Sequence, residues 1–391
     1  MTLWHDFSII AIYSRHFIVI SYFTVEAIYH MKRVKTAELV PGMVTGEDVF
    51  NFNGQMIFPK GFILTDRAIS RLSFYAIDSL RVEDEIIEAP TPKPVEQITV
   101  PSHKQRIINS PEFKEFKESF DTEVDLLRDR INRIVSENAP INTDEMLAGA
   151  FKLVEMGRKS YGVIDLLNHM RDNDGETFAH CMNVALICNV MCGWLRYDKE
   201  TTRMATLCGL FHDIGKLHIS DAILEKRGPL TDEERKIVQT HALEGFNLIK
   251  NLPLDEHVKN AALMHHERCD GTGYPFGLNP IQIDPYAKMV AIADVYDAMT
   301  STRPYRRALS PFKTIAIMED EGLQKYDTQY VTTFLDHVVD SYINNRVLLN
   351  TGEQGEIVYI HKEKLSRPTL KIGDKFLDLS ESKDIEIEEI I

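Results

Sequence analysis

The chain runs to 391 residues, 44% of them hydrophobic and 26% charged, with a formal net charge of −15. That length allows two or three domains with substantial cores, and an acidic balance without a lysine- or arginine-rich run excludes long polyanions such as duplex DNA, which need a basic face. A small anionic substrate stays open wherever metal ions or a few local bases supply positive charge. The cysteines (Cys181, Cys188, Cys192, Cys208 and Cys269) are odd in number, and Cys188 and Cys192 sit one helical turn apart in an apolar stretch. They read as core packing in a reducing, cytoplasmic setting and not as a disulfide framework.

Residues 1–30 hold two apolar runs, Phe7–Tyr13 and Phe17–Ala27, divided by Arg15-His16. Neither reaches the ~20 residues of a membrane span, and no basic segment with a cleavage site precedes them. Met31-Lys32-Arg33-Val34-Lys35 has the character of a normal start, so residues 1–30 read as an upstream or non-native extension and no membrane association is expected. Residues 31–87 carry short apolar pieces punctuated by Pro41-Gly42, Asn53-Gly54 and Lys60-Gly61. They predict a small β-rich accessory domain with a hairpin turn at Asn53-Gly54 and a short helix capped by Thr65-Asp66.

Pro90, Pro92, Pro94 and Pro101 mark residues 88–103 as a linker. A helical connector follows over 104–158. In it Phe113, Phe116, Phe120, Val124, Leu127, Ile131 and Ile134 recur every three or four residues, the seam of an amphipathic helix. A seam of this length suits packing on its own domain, with a homodimer through the 110–137 helix as the alternative. From Thr143 to about Tyr342 nearly every segment reads as helical, which predicts an all-α catalytic core over 159–345. Residues 346–391 alternate around Gly352, Gly355 and Gly373 and predict a short β appendage ending in an acidic tail.

Within the helical core, His265-His266 stand at a helix end, followed by Asp270-Gly271-Thr272-Gly273-Tyr274-Pro275, through which no helix continues. Glu176 and His180 are four residues apart and share a helix face. His212-Asp213 follow an apolar helix and precede Gly215, read here as a break. His241 falls on a helix opened by Thr231, with Glu234 three residues on. Asp294 lies in an apolar helix, where an unpaired carboxylate would be costly. Together these are five imidazoles and three carboxylates. Nitrogen and oxygen donors without thiolate suit manganese or iron, with zinc, cobalt and nickel less favoured. Each residue also has a plainer reading: His241 as a hydrogen-bonded histidine, Asp294 as a buried cap or a partner of Arg303, with Asp297 as its competitor. His218 pairs with nothing in the pattern and is left out.

His212-Asp213-Ile214-Gly215-Lys216, His265-His266-Glu267, the Asp270–Pro275 loop, and Ala293–Ser301 with Arg303-Pro304-Tyr305-Arg306 occur in this order. The set resembles the HD-GYP family of cyclic di-GMP phosphodiesterases, within the HD hydrolase superfamily, over about residues 160–345. The resemblance implies an HD-type helical core with His180, His212, Asp213, His241, His265, His266 and Asp294 as metal ligands. Glu176 implies the three-metal form, whereas members lacking that glutamate hold two. It further implies hydrolysis of cyclic di-GMP to linear pGpG and on to GMP, with a diguanylate cyclase (GGDEF) domain as a partner. Asn279-Pro280 departs from the family pattern in a loop that touches no ligand.

The expected chemistry is in-line attack of a metal-bridging hydroxide on phosphorus. Asp213 and Lys216 are the catalytic candidates, Lys216 holding the phosphate or assisting the leaving group. Arg303 and Arg306 are expected to clamp a phosphate. Asp270, Gly273, Tyr274 and Pro275 are assigned to substrate binding, Tyr274 stacking on guanine or fixing its own loop. The rival readings are an HD phosphohydrolase for cyclic GMP-AMP or a guanosine polyphosphate, and a non-catalytic scaffold that holds cyclic di-GMP.

Overall fold

The computed structural model describes residues 31–50, 56–65, 68–69, 72, 77–83, 102–137, 139–170, 177–302, 308–382 and 384–391. The extension 1–30, most of the Pro-rich linker, the Asn53-Gly54 turn, Glu176, Arg303 and Arg306 lie outside them. The chain divides into two compact units, 1–98 and 99–391.

In the first unit, β1 (Met31–Lys35) pairs antiparallel with β4 (Ser79–Glu83), and β2 (Val49–Phe50) with β3 (Met56–Phe58). Gly42 and Gly61 turn the chain at φ +96° and +80°, values that need glycine. Thr65 Oγ1 accepts from the Ala68 amide, as a cap does. Val34, Leu39, Leu64, Leu72, Leu80 and Val82 form this unit's own small core.

The second unit opens with α1 (His103–Asn109), started by a Ser102–Gln105 capping box. The long helix α2 (Pro111–Glu137) follows, then α3 (Thr143–Arg158) and α4 (Val163–Met170). All seven seam residues of α2 are buried in the unit's own core. The seam thus packs on its own unit, with α3–α5 supplying the partner surface.

Helix α5 (Thr177–Trp194) is apolar on every side and runs through the middle of the core. Its length and hydropathy would pass for a membrane span, but most of it is buried inside the protein. Helix α6 (Lys199–Phe211), capped by Asp198, lies so close to it that a Cβ on Gly209 would sit 2.6 Å from Ala185 Cα. After a 3₁₀ turn (Ile214–His218) come α7 (Asp221–Leu224), α8 (Asp232–Gln239), α9 (His241–Ile249), α10 (Glu256–Met264), α11 (Pro285–Thr300), α12 (Pro311–Lys325) and α13 (Thr328–Val338). The helix that Thr231 caps ends at Gln239, so His241 begins a separate helix instead of lying within the first.

Five antiparallel strands close the unit: β5 (Arg346–Leu349), β6 (Gln354–His361), β7 (Lys364–Ile372), β8 (Lys375–Asp378) and β9 (Ile387–Ile390), in the order β8-β7-β6-β5-β9. The acidic tail is therefore corrected to an edge strand. Ile385-Glu386-Ile387-Glu388 alternates with the two-residue period of a strand, and Ile387 turns into the core. The sheet is no loose appendage: Val347, Leu349, Ile357, Leu370 and Leu379 join the helical core, and Glu319 of α12 accepts from the Leu365 and Ser366 amides.

Candidate metal centre

Helix ends bring most of the chemistry together. His212 caps the C-terminus of α6 and Asp213 follows it; His265 caps α10 and His266 follows it; His241 is the first residue of α9. Only His180 and Asp294 come from within helices, on α5 and α11, which pack side by side. All seven converge.

Asp213 lies at the centre, 1% exposed. Its Oδ2 faces His180 Nε2 at 3.5 Å and His212 Nε2 at 3.4 Å, while Oδ1 faces His241 Nε2 at 3.3 Å and His265 Nε2 at 3.6 Å. Asp294 joins from the other side, Oδ1 at 3.0 Å from His180 Nε2 and Oδ2 at 3.7 Å from His266 Nδ1. Two groups that could each hold a metal ion share this carboxylate: Asp213 with His241, His265 and His266, and Asp213 with His180 and His212.

A second layer of contacts sets the tautomers. The Nδ1 atoms of His212, His241 and His265 lie 2.8, 2.5 and 3.0 Å from the carbonyls of Gly209, Val238 and Ala261. A carbonyl only accepts, so each Nδ1 carries the proton and each Nε2 presents a lone pair to the cluster. His180 Nδ1 meets a carboxylate instead, Asp297 Oδ2 at 2.7 Å, and Asn183 Nδ2 donates to Asp297 Oδ1 at 3.0 Å. Asp297 thus orients His180 from behind and does not compete with Asp294.

The electrostatics favour neutral imidazoles beside ionised carboxylates. Burial pushes His212 down to about 3 and His241 down to about 4, and holds His266 well below the usual histidine range. Burial works against ionising Asp213, but the Lys216 ammonium beside it overcomes this and holds the carboxyl low. Asp294 is likewise held well below the usual carboxylate range despite its burial, with His180 and His266 lying against it.

These residues fit a metal. His212 Nε2 and Asp213 Oδ1 are buried without a hydrogen-bond partner, and the Nε2 atoms of His241 and His265 face each other at 3.2 Å. Lone pairs directed at one another and at a carboxylate repel unless a cation lies among them, and a nitrogen–oxygen donor set suits a first-row divalent ion.

The surrounding residues divide. Lys216 Nζ donates to Asp213 Oδ2 and stands at the rim of the cluster. Tyr274, half-buried, packs one face of its ring on His266, with centroids 4.6 Å apart at 29°, a contact that helps fix its loop. Asp270 is exposed and accepts from the Thr272 amide and hydroxyl, so it also forms the turn. Gly273 packs backbone to backbone: a Cβ there would meet Arg268 N at 2.3 Å. Pro275 follows a cis peptide bond in the same loop. Among the described residues His218 pairs with Glu244 alone, on the surface.

Two residues that hold this loop were given no role from the sequence. Glu267, 2% exposed, accepts from the Phe276 and Leu278 amides at 2.7 and 2.9 Å. Arg268 donates to the carbonyls of His265 and Glu267 and lies over the Tyr326 ring at 4.9 Å. Glu267 left a signal in its adjacency to the histidine pair; Arg268 left none, since the ring it lies over, Tyr326, follows α12 far along the chain.

A family model described as HD domain matches residues 156–330. A cyclic di-GMP phosphodiesterase of Pseudomonas aeruginosa is 35% identical over 207 residues, covering 53% of this chain and 50% of that one. The 3'3'-cGAMP-specific phosphodiesterase 1 of Vibrio cholerae is 39% identical over 145 residues, 37% of this chain and 34% of that one. A cyclic di-GMP phosphodiesterase of Thermotoga maritima is 33% identical over 178 residues, 45% and 48% of the two chains. The chain thus spans half or less of the length of these curated relatives.

Proposed function

We propose that the helical core, which matches the HD domain family model, is of the HD-GYP branch, and that the protein is a metal-dependent phosphodiesterase that opens cyclic di-GMP to linear pGpG and carries it on to GMP. The observation that carries the proposal is the position of Asp213, whose two oxygens face two separate sets of histidines. A carboxylate shared in this way is the device of a multinuclear site, and multinuclear sites suit phosphodiester cleavage. The names of two relatives support the substrate.

His180, His212, Asp213, His241, His265, His266 and Asp294 would hold the ions, with iron or manganese the metals best suited to these donors. Glu176, outside the described residues, is assigned to a third. When bound, the ions supply Lewis acidity toward the phosphodiester and activate water for attack on phosphorus. The chain's own groups do the rest. The protonated Nδ1 atoms of His212, His241 and His265 keep those imidazoles turned inward, and Asp297 holds His180. Lys216 carries a proton on Nζ beside Asp213 and is placed to pass it to the departing ribose 3′ oxygen. Arg303 and Arg306 are proposed to bind the second phosphate. A cytoplasmic setting is part of the same reading, supported by five free cysteines, as is a diguanylate cyclase partner.

The test is Asp213→Asn in the full chain, purified without oxygen, with elemental analysis and chromatography of products on one sample. Hydrolysis and bound metal should both fall while the helical circular dichroism stays. Turnover like that of the unaltered protein would overturn the assignment. Glu176→Ala should lose one ion per chain and slow the second cleavage. The Vibrio cholerae relative supports a second reading, hydrolysis of cyclic GMP-AMP, so both dinucleotides belong in the assay.

A further inference from the structure

We propose that a cleft at the far end of α5 is a second ligand site, built for a guanine mononucleotide. It has a volume of about 310 Å³, and Arg158, Tyr161, Asp165, Trp194, His337 and Ser341 supply its polar and aromatic lining. The cleft lies beside Gly193, near the C-terminal end of the helix that carries His180 near its start. At 1.5 Å per residue that is ~20 Å along α5 from the metal centre.

Three features point to the ligand's chemistry. The Arg158 guanidinium makes no ion pair or hydrogen bond among the described residues, and Nη2 lies 4.0 Å from where a Cβ on Gly193 would be. Asp165 is 7% exposed, and its Oδ2 is 3.2 Å from His103 Nε2, yet its Oδ1 has no hydrogen-bond partner. Nearby, His169 Nδ1 lies 3.6 Å from that oxygen and donates to the Asp165 carbonyl, at 2.7 Å. Trp194 lies between Phe334 and His337, the latter stacked on it at 4.9 Å and 19°, so the exposed rings of His337 and Tyr161 are the aromatic surface offered to a flat ligand.

A buried carboxylate oxygen without a donor asks for N–H groups. Guanine offers N1–H and N2–H₂ side by side on one edge, whereas adenine has no adjacent donor pair there. Arg158, exposed at the mouth, is suited to a 5′-phosphate. The volume is at the small end of ligand pockets, adequate for a mononucleotide and tight for a cyclic dinucleotide. Choosing guanine over other flat donors rests on the proposed reaction, whose final product is GMP. The site would then place that product on the helix that carries a metal ligand.

Equilibrium dialysis of labelled GMP against the full chain carrying Asp213→Ala removes the metal centre as the source of binding. One GMP per chain should remain bound, with AMP about tenfold weaker. Arg158→Ala should abolish any preference for GMP over guanosine, and Asp165→Asn should weaken GMP about tenfold without affecting AMP. No saturable binding in the Asp213→Ala chain, equal affinity for AMP and GMP, or indifference to Arg158→Ala overturns the proposal. If Asp165→Asn fails to fold by circular dichroism, Arg158→Ala decides alone. Dialysis reads binding and not turnover, so failure of the phosphodiesterase reading shows separately as intact cyclic di-GMP in the activity assay.

Discussion

Replacing Gly215 with alanine should separate two halves of the metal centre. A Cβ at Gly215 would lie 1.9 Å from the His241 carbonyl oxygen and 2.4 Å from the Gly245 amide nitrogen. Both are backbone atoms of α9, which cannot swing aside as a side chain could. Reaching ordinary contact near 3.4 Å requires the 3₁₀ turn and α9 to part by about 1.5 Å at this point. Asp213 precedes that turn and His241 opens α9, so the 3.3 Å between Asp213 Oδ1 and His241 Nε2 widens with it. Overpacking of this kind costs about 1–3 kcal/mol of stability, a fall in Tm of several degrees. A 1 Å misplacement in an active site costs roughly a hundredfold in rate. The assay pairs Tm by circular dichroism with Mn²⁺ titration of metal-depleted protein and turnover of cyclic di-GMP. Gly245→Ala is the control: its Cβ meets Gly215 N at 3.1 Å, a few tenths short of ordinary contact, and the effect should be mild. Full metal loading and turnover in Gly215→Ala would refute the packing argument.

Asp297→Ala leaves the His180 Nδ1 proton without its acceptor and should weaken Mn²⁺ binding by about 10–100-fold by calorimetry; Asp297→Asn, which can still accept through its amide oxygen, should recover part of this. Glu267→Ala frees the Phe276 and Leu278 amides and should cost about 2–3 kcal/mol in urea denaturation. Chelation should abolish hydrolysis yet leave helical ellipticity, because α5 and α6 are held by apolar packing and not by the ions. The chelated chain should also lose thermal stability as pH falls. Below 6.5 an unfolded histidine takes up a proton, whereas folded His212 and His241 resist until about 3 and about 4. The unfolded state therefore binds more protons across that window, and stability declines with acid. A flat Tm between pH 7 and 4.5 would contradict this.

Reading Gly215 as a helix break found the right residue for the wrong reason. The glycine serves a close approach to α9, and nothing near it in sequence announces that partner. The α2 seam was legible down to its individual residues, but its occupant was not, since periodicity identifies an apolar face without saying what covers it. The β9 strand was written in its alternation and hidden by its charge. Asp297 stood beside Asp294 as a rival until the fold placed them on opposite nitrogens of His180.

The residue types, their order and the helix-ending loop after His266 were enough to nominate the metal ligands, because donor chemistry and helix termination are local properties of a few neighbouring residues. Which oxygen of Asp213 faces which histidines, which nitrogen of His212, His241 and His265 keeps its proton, and what Tyr274 packs on were decided only by the fold. Those depend on contacts between distant parts of the chain, such as His180 with Asp294, 114 residues apart. Their geometry is set when α5, α6, α9, α10 and α11 pack against one another, and no local pattern encodes the distances that result.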